Sequence, residues 1–236
     1  MNAFAQAFTF IGRDGHVLLS KLGVHVIISV ESIAISILIG LPLGAILGHF
    51  HKLSFLAINI SNLGRALPSL AVLSILLPVL GIGRTDVIVA LVVLAAPPIL
   101  TNAYVAVDGV DNDTVEAARG IGMRPWQVLM KVELPLALPL IFAGIRTSAV
   151  FVVATATLAG FFGGGGLGDI IANEPAYRLS GVIAASYVLI ALAFASQVLL
   201  VGLERLITPA GLRPQRDRRR RRRVPTVPDP GLVQAG

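Results

Sequence analysis

Apolar residues in this chain come in long, nearly unbroken runs, unlike the alternating or one-faced patterns of soluble strands and helices. A helix that crosses a bilayer needs about 20 mostly apolar residues. Five stretches meet that need, at residues 22–48, 53–80, 86–107, 134–160 and 180–207. The connections between them are short except for residues 108–133 and 161–179. Pro68 and Pro78 are expected to break the second stretch into two helical pieces. Pro42, Pro97, Pro98 and Pro139 are expected to kink or end their helices, which a bundle tolerates where neighbours satisfy the freed carbonyls. Ahead of the first span, Phe4, Phe8 and Ile11 recur at helical spacing, so residues 1–21 form an amino-terminal segment able to lie as an interfacial helix. This segment lacks the basic start and continuous apolar core of a cleavable signal peptide. The pattern predicts an all-α, polytopic membrane protein whose five core helices occupy residues 22–208.

Composition supports lipid as the solvent, since 55% of the 236 residues are hydrophobic and only 14% are charged. Without cysteine there is neither a disulfide framework nor a thiolate metal site. The net charge of +6 is misleading as an average. Up to Leu212, 11 Lys and Arg balance 11 Asp and Glu, and from Arg213 onward 8 Arg face 2 Asp. The excess therefore belongs to residues 209–236, whose six consecutive arginines at 218–223 predict a self-repelling, disordered, cytoplasmic tail. Such a tail can anchor topology or respond to ionic strength at anionic lipid. It offers no folded basic face, so nucleic acid is not an expected partner. By the Lys and Arg distribution near helix ends, the carboxy terminus and residues 108–133 are expected inside and the amino terminus outside, which leaves Arg13 and Lys21 outside.

Residues 108–135 read DGVDNDTVEAARGIGMRPWQVLMKVELP. Asp113 or Thr114 is positioned to cap a helix starting near Val115, with acidic residues at its positive end. Gly120 and Gly122 then turn the chain, Pro125 starts a second short helix, and Pro135 leads into the fourth span. These residues predict a small helical elbow on the cytoplasmic side, the size of a knob that fits a groove. EAA, three residues, Gly, nine residues and V-x-L-P together resemble the EAA loop of ABC-importer permeases, with Val132 where Ile is usual. Glu116, Ala117, Ala118, Gly122, Val132, Leu134 and Pro135 carry that resemblance. It implies that residues Glu116, Ala117, Ala118 and Gly122 belong to a coupling helix that docks into a separate ATPase subunit. The strings RALPSLAVLSILLPVLGIG (65–83), GIRTSAV (144–150) and TATLAGFFGGGGLGDII (155–171) are similar to the branch that carries glycine betaine, choline and related osmoprotectants. Permeases for methionine partly share them.

Polar residues inside the spans are the other candidates. His25, Ser29, Ser32 and Ser36 fall on one face of the first span, either as a pathway wall or as a helix–helix contact held by hydroxyls. His25 reads as a residue near the outer interface. Glu31, Arg65 and Arg146 are the charges within spans, and opposite sign at similar depth predicts that Glu31 pairs with one of the two arginines. Arg65 can instead cap carbonyls at a helix break. Residues 163–166 are all glycine and end no P-loop, because no Lys-Ser or Lys-Thr comes after them. They form a connector, or, as the resemblance implies, an external loop near a gate with Asp169, Glu174 and Tyr177 exposed toward a docking partner. One Trp and three Tyr are scattered, a poor supply for the aromatic cage that grips a quaternary ammonium. Selection is thus expected on a separate extracytoplasmic binding protein. His16, His25, His49 and His51 form no catalytic or metal-binding pattern with the acidic residues, which leaves no catalytic residue and no metal site to assign. The expected protein is a multi-pass permease of a bacterial inner membrane, bathed in lipid and paired with a second permease copy or paralogue. It binds no cofactor itself, while ATP and Mg act on the partner ATPase. A passive channel or an intramembrane enzyme would be the rival classes.

Overall fold

The computed structural model describes residues 3–51 and 67–208. The start of the second predicted span, with Arg65, and the arginine-rich tail lie outside the described residues. Among the described residues every regular element is helical. Helix α1 (Ala3–His49) is interrupted at Asp14 (φ −113, ψ 24). It is followed by α2 (Ser69–Leu80), α3 (Arg84–Asp108) and the two elbow helices α4 (Asn112–Gly120) and α5 (Pro125–Val128). A π-helical turn (Leu129–Glu133) leads into α6 (Leu134–Thr155), which tightens into a 3-10 turn (Ala156–Phe161). Short α7 (Gly168–Ala172) precedes α8 (Glu174–Ile207).

Among the described residues, four helical units are long and apolar enough to cross a membrane, at Ala3–His49, Arg84–Asp108, Pro125–Phe161 and Glu174–Ile207. Pro42, Pro97, Pro98 and Pro139 lie inside α1, α3 and α6 and end none of them. Pro68 behaves differently. It is the extended residue (φ −65, ψ 122) that precedes α2, whereas Pro78 lies inside α2 and does not break it.

The bundle is organised by small residues. Ser32, Ser36, Gly40, Gly44 and Gly48 recur every four residues along α1 and are buried. A Cβ placed on Gly40 would lie 2.8 Å from the Ala96 carbonyl oxygen, and one on Gly48 would lie 2.8 Å from that of Tyr104. At Gly44 it would overlap the Leu100 carbonyl oxygen. The backbones of α1 and α3 therefore touch, as in small-xxx-small membrane packing. The partner advances from 96 to 104 as the glycine advances from 40 to 48, so the two helices run parallel. The chain must return from one end of the bundle to the other between them, and α2 is the described part of that return.

Helix α6 runs the other way. A Cβ on Gly144 would meet that of Asn102 at 2.5 Å, whereas Ser148 Oγ, one turn later, donates to the Ala95 carbonyl at 3.0 Å. His25 near one end of the bundle lies 2.9 Å from the Val153 carbonyl through Nε2. At the opposite end His49 meets Glu133. Buried Ile28, Leu73, Leu91, Leu94 and Val152 fill the space where α1, α2, α3 and α6 converge. The outward positions are equally apolar. Leu38, Ile75, Phe194 and Leu206 are all more than 70% exposed, the arrangement of helices solvated by lipid.

Replacing Gly44 by Ala places a methyl group against a backbone oxygen that no rotamer change can move. We expect Gly44→Ala to destabilise the folded protein by about 1–3 kcal/mol, the usual cost of overpacking. Gly202→Ala, with nothing within 4 Å of the added Cβ, should leave stability unchanged. Thermal unfolding of the purified protein in detergent checks both.

Candidate functional site

The elbow is built from local rules. The Asp111 carboxylate accepts from the amides of Asp113 (2.8 Å) and Thr114 (3.3 Å), so it caps α4 in place of the expected Asp113 or Thr114. The helix accordingly starts at Asn112, three residues before the expected Val115. An aspartate two residues upstream can reach two free amides at once, which a residue already inside the turn cannot. At the other end Gly120 stays helical, and Gly122 (φ 86) alone makes the turn. The Met123 amide donates to Ala118 O at 3.2 Å and the Gly122 amide to Arg119 O at 2.9 Å, a Schellman ending. Then Pro125 opens α5 while Gln127 Oε1 accepts from the Arg124 amide at 2.9 Å.

Val115, Ala118 and Val128 are buried together, with Val110, Met123 and Val132 packed on them. Ala118 is thus an inward residue that glues α4 to α5. Glu116 and Ala117 face outward. Beside them Ile121 and Trp126 are 77% and 63% exposed, so the free side of the elbow is apolar with a charged edge.

The charged residues pair differently from the sequence expectation. Glu31 pairs with Arg84 at 2.5 Å and both side chains are about half exposed, while Arg65, one of its two expected partners, lies outside the described residues. Parallel packing of α1 and α3 brings Arg84, the first residue of α3 and two residues ahead of the predicted span, beside Glu31. Arg146 instead reaches Glu204 of α8 at 3.0 Å. His49 and Glu133, 2.6 Å apart and 5% and 2% exposed, form a buried pair that sequence reasoning missed. Asp86, in the first turn of α3, was also missed. It is fully buried, and neither carboxylate oxygen has a hydrogen-bond partner.

His25, Ser29, Ser32 and Ser36 are all buried among the helices, continuous with the glycine ladder. Ser36 donates back to the Ser32 carbonyl at 2.7 Å. Ser29 also borders an apolar cavity of about 560 Å³ between α1, α6 and α8, and a separate cavity of about 270 Å³ lies between α2, α3 and α6, lined by Leu67, Ser69, Leu94, Pro98, Thr147, Ser148 and Phe151. It joins two of the sequence strings that looked functional, the one around Pro68 and the one around Thr147. Among the described residues, Phe151 is its single aromatic residue.

At the end opposite the elbow, the glycine cluster packs tightly. Gly164 lies against Val87 and Ala159, and Gly166 against His25, so this segment plugs the gap between α1 and α3. Gly163, Gly165 and Gly166 have φ between 69 and 87, which only glycine adopts without strain. Asp169 is held by Lys21 at 2.5 Å, Tyr177 is half-buried, and Glu174 is exposed. A polar cleft of about 440 Å³ opens beside them, lined by Gln6, Thr9, Arg13, Asp14, Tyr177 and Arg178. Both backbone irregularities of the long helices, Asp14 and Arg178 (φ 59, ψ 166), line this cleft.

A bundle of lipid-facing helices carrying a capped, outward-facing elbow between two spans defines a polytopic membrane permease. The chain belongs to the inner membrane components of binding-protein-dependent transport systems, whose family model matches residues 40–209. It is 40% identical over 212 residues to the glycine betaine/carnitine/choline transport system permease protein OpuCB of Bacillus subtilis (strain 168), covering 88% of this chain and 96% of that one. The choline transport system permease protein OpuBB of the same organism is also 40% identical, over 86% of this chain and 94% of its own length. Among solved structures, an inward-facing form of the MetNI methionine ABC transporter superposes with a TM-score of 0.73 at 26% identity, over 81% of this chain and 96% of that one. Membership makes the chain a transport component and not an enzyme. It implies a separate ATPase and a separate binding protein.

Gly122→Ala forces an L-residue to φ 86 and should cost the elbow about 1–2 kcal/mol. Trypsin should then cut faster after Arg119, with the membrane helices still protected. Limited proteolysis of membrane vesicles with mass mapping of the fragments reads the difference.

Proposed function

We propose that this chain forms the membrane pathway of an ATP-driven importer for osmoprotectants of the glycine betaine, choline and carnitine type. The observation that carries the reading is the elbow. A short helix locked at both ends presents Glu116 and Ala117 outward, flanked by exposed Ile121 and Trp126, on a motif that resembles the ATPase-docking loop of importers. Glu116, Ala117, Ala118 and Gly122 would couple a cytoplasmic ATPase, which holds ATP and Mg, to the helices. In that arrangement Ala118 and Gly122 act by holding the elbow's shape, and Glu116 and Ala117 by contact.

The substrate class rests on the extent of similarity to the two Bacillus permeases, which spans nearly their whole lengths. The cavity between α2, α3 and α6 is the pathway wall, with Ser69, Thr147 and Phe151 on it. Arg65 falls just ahead of this region in sequence. The stripe of Ser29, Ser32 and Ser36, with the Glu31 and Arg146 ion pairs, supports the helix packing around the pathway. A single aromatic residue among the described lining makes no cage for a quaternary ammonium, which supports placing high-affinity selection on an extracytoplasmic binding protein. That protein docks at the end opposite the elbow, near Glu174, Tyr177 and the Arg13–Arg178 cleft. Exposed Leu70, Ile75 and Val79 of α2 offer an apolar face to a second permease copy or paralogue, which completes the pathway. The carboxy terminus and the elbow lie in the cytoplasm of a bacterial cell.

The MetNI likeness favours a second reading, in which the cargo is an amino acid such as methionine. Uptake of labelled glycine betaine, with choline as competitor, separates the two in a host stripped of its own betaine transporters. The operon is supplied with this chain, without it, or with Glu116→Arg. Uptake should need the chain, and Glu116→Arg should lower it by about tenfold or more through a reversed charge at the docking edge. An assembled complex that takes up methionine but no betaine would replace the osmoprotectant reading.

A further inference from the structure

Among the described residues, the elbow and α1 are joined at one buried polar contact whose geometry the docking motif does not require. His49 is the last residue of α1, and Glu133 is the last residue of the π-helical turn between α5 and α6. Their side chains meet at 2.6 Å between His49 Nδ1 and Glu133 Oε2, and both are almost fully enclosed.

Three features make this contact more than incidental packing. First, the π turn carries one residue more than an α-helical turn, which rotates the downstream helix by about 100°. That rotation aims Glu133 at α1 while Leu129 stays in the apolar core with Ala137 and Ile141. Second, His49 cannot drift. Gly48 beside it is pressed onto the Tyr104 carbonyl and Val107 of α3, and Phe50 packs edge-on against the imidazole with ring centroids 5.2 Å apart. Third, the π turn touches α1, α4, α5 and α6, so it is the hub where elbow and bundle meet. A second histidine–carboxylate pair, His51 with Asp108 at 2.7 Å, lies at the same end but is exposed, where such a pair transmits little.

We propose that the His49–Glu133 contact is the strut that delivers elbow displacement to α1, so that both act as positioning residues for coupled transport. Resting on the importer reading above, the proposal concerns the elbow's inner face, whereas Glu116 concerns its outer face. An ATPase that pulls on the elbow moves the π turn. A buried hydrogen-bonded pair resists sliding where apolar side chains would slip, and so α1 moves with the turn, carrying α3 along the glycine ladder.

The test reconstitutes the full complex, with ATPase and binding protein, in proteoliposomes and measures betaine uptake and ATP hydrolysis on the same sample. Glu133→Leu, which removes the polar partner at similar size, should leave ATP hydrolysis within about twofold of the parent and lower the betaine moved per ATP by about tenfold. The exchanged pair, His49→Glu with Glu133→His, restores the contact in reverse and should recover most of that ratio. Glu133→Gln, which can still hydrogen-bond His49, should stay near the parent. A purely structural role would lower uptake and hydrolysis together, in proportion to the amount of complex. An unchanged ratio in Glu133→Leu overturns the strut, as does an exchanged pair that assembles yet stays as uncoupled as Glu133→Leu. Should Glu133→Leu fail to assemble, the exchanged pair alone decides between these outcomes. If the parent complex moves no betaine at all, the importer reading fails first, and that result is distinguishable from failure of the strut.

Discussion

The backbone contact between α1 and α3 sets the terms for everything else in the molecule. Lipid offers no hydrophobic reward for bringing two apolar helices together, so association must come from close packing and from groups that satisfy one another. Gly40, Gly44 and Gly48 permit that closeness by having no side chain to stand between the helices. Once α1 and α3 are fixed side by side and parallel, the intervening chain is obliged to cross back, α6 is obliged to run antiparallel, and the elbow is obliged to emerge where α3 ends. The position of the docking surface is in this sense a consequence of three missing side chains.

Polar groups are handled by pairing within that frame. Glu31 with Arg84, Arg146 with Glu204 and His49 with Glu133 each link two helices that the ladder has already brought close. Their environments differ in consequence. The Glu31–Arg84 pair is about half exposed and contributes little, on the order of 0–1 kcal/mol. The enclosed His49–Glu133 pair would leave a buried group without its hydrogen-bond partner if one side were lost, which costs about 1–3 kcal/mol. Buried Asp86 stands apart as a carboxylate at the head of α3, where the unpaired amides of a first turn favour negative charge.

How much of this is legible in the sequence depends on how local each signal is. Long apolar runs mark the helices, because membrane thickness is a constraint each run meets alone. The elbow is legible for the same reason, since Asp111 to Gly122 obey capping rules that involve only near neighbours. Even there the cap falls on a different residue from the one expected, because Asp111, Asp113 and Thr114 are all able to cap and only the observed backbone decides. Ion pairs are illegible. Opposite charges at similar depth suggest Glu31 with Arg65 or Arg146, yet depth says nothing about which helices are adjacent or which face each residue takes. The repeat S-x3-S-x3-G-x3-G-x3-G marks the α1 contact face, but the serines taken alone fit a pathway wall equally well. The polar stripe and the glycines are one feature. The cavity between α2, α3 and α6 depends on three distant segments and has no local signature beyond the prolines near it.

Helix α8 shows a different regime of constraint. Of its 34 residues, only Gly181, Ala184 and Ala185 are buried, all near its start, whereas Ile190, Phe194, Val198, Leu203 and Leu206 stand exposed. Its inner side is still constrained, since Leu192, Ala195 and Ser196 line a cavity with α1 and α6 and Leu200 packs on the buried cluster around Ile99 and Ile141. Its outer side meets lipid, where oiliness matters more than shape. Leu, Ile, Val and Phe are expected to be nearly interchangeable at Ile190, Phe194, Val198 and Leu206, so one helix carries two standards of tolerance, strict toward the bundle and lax toward the bilayer.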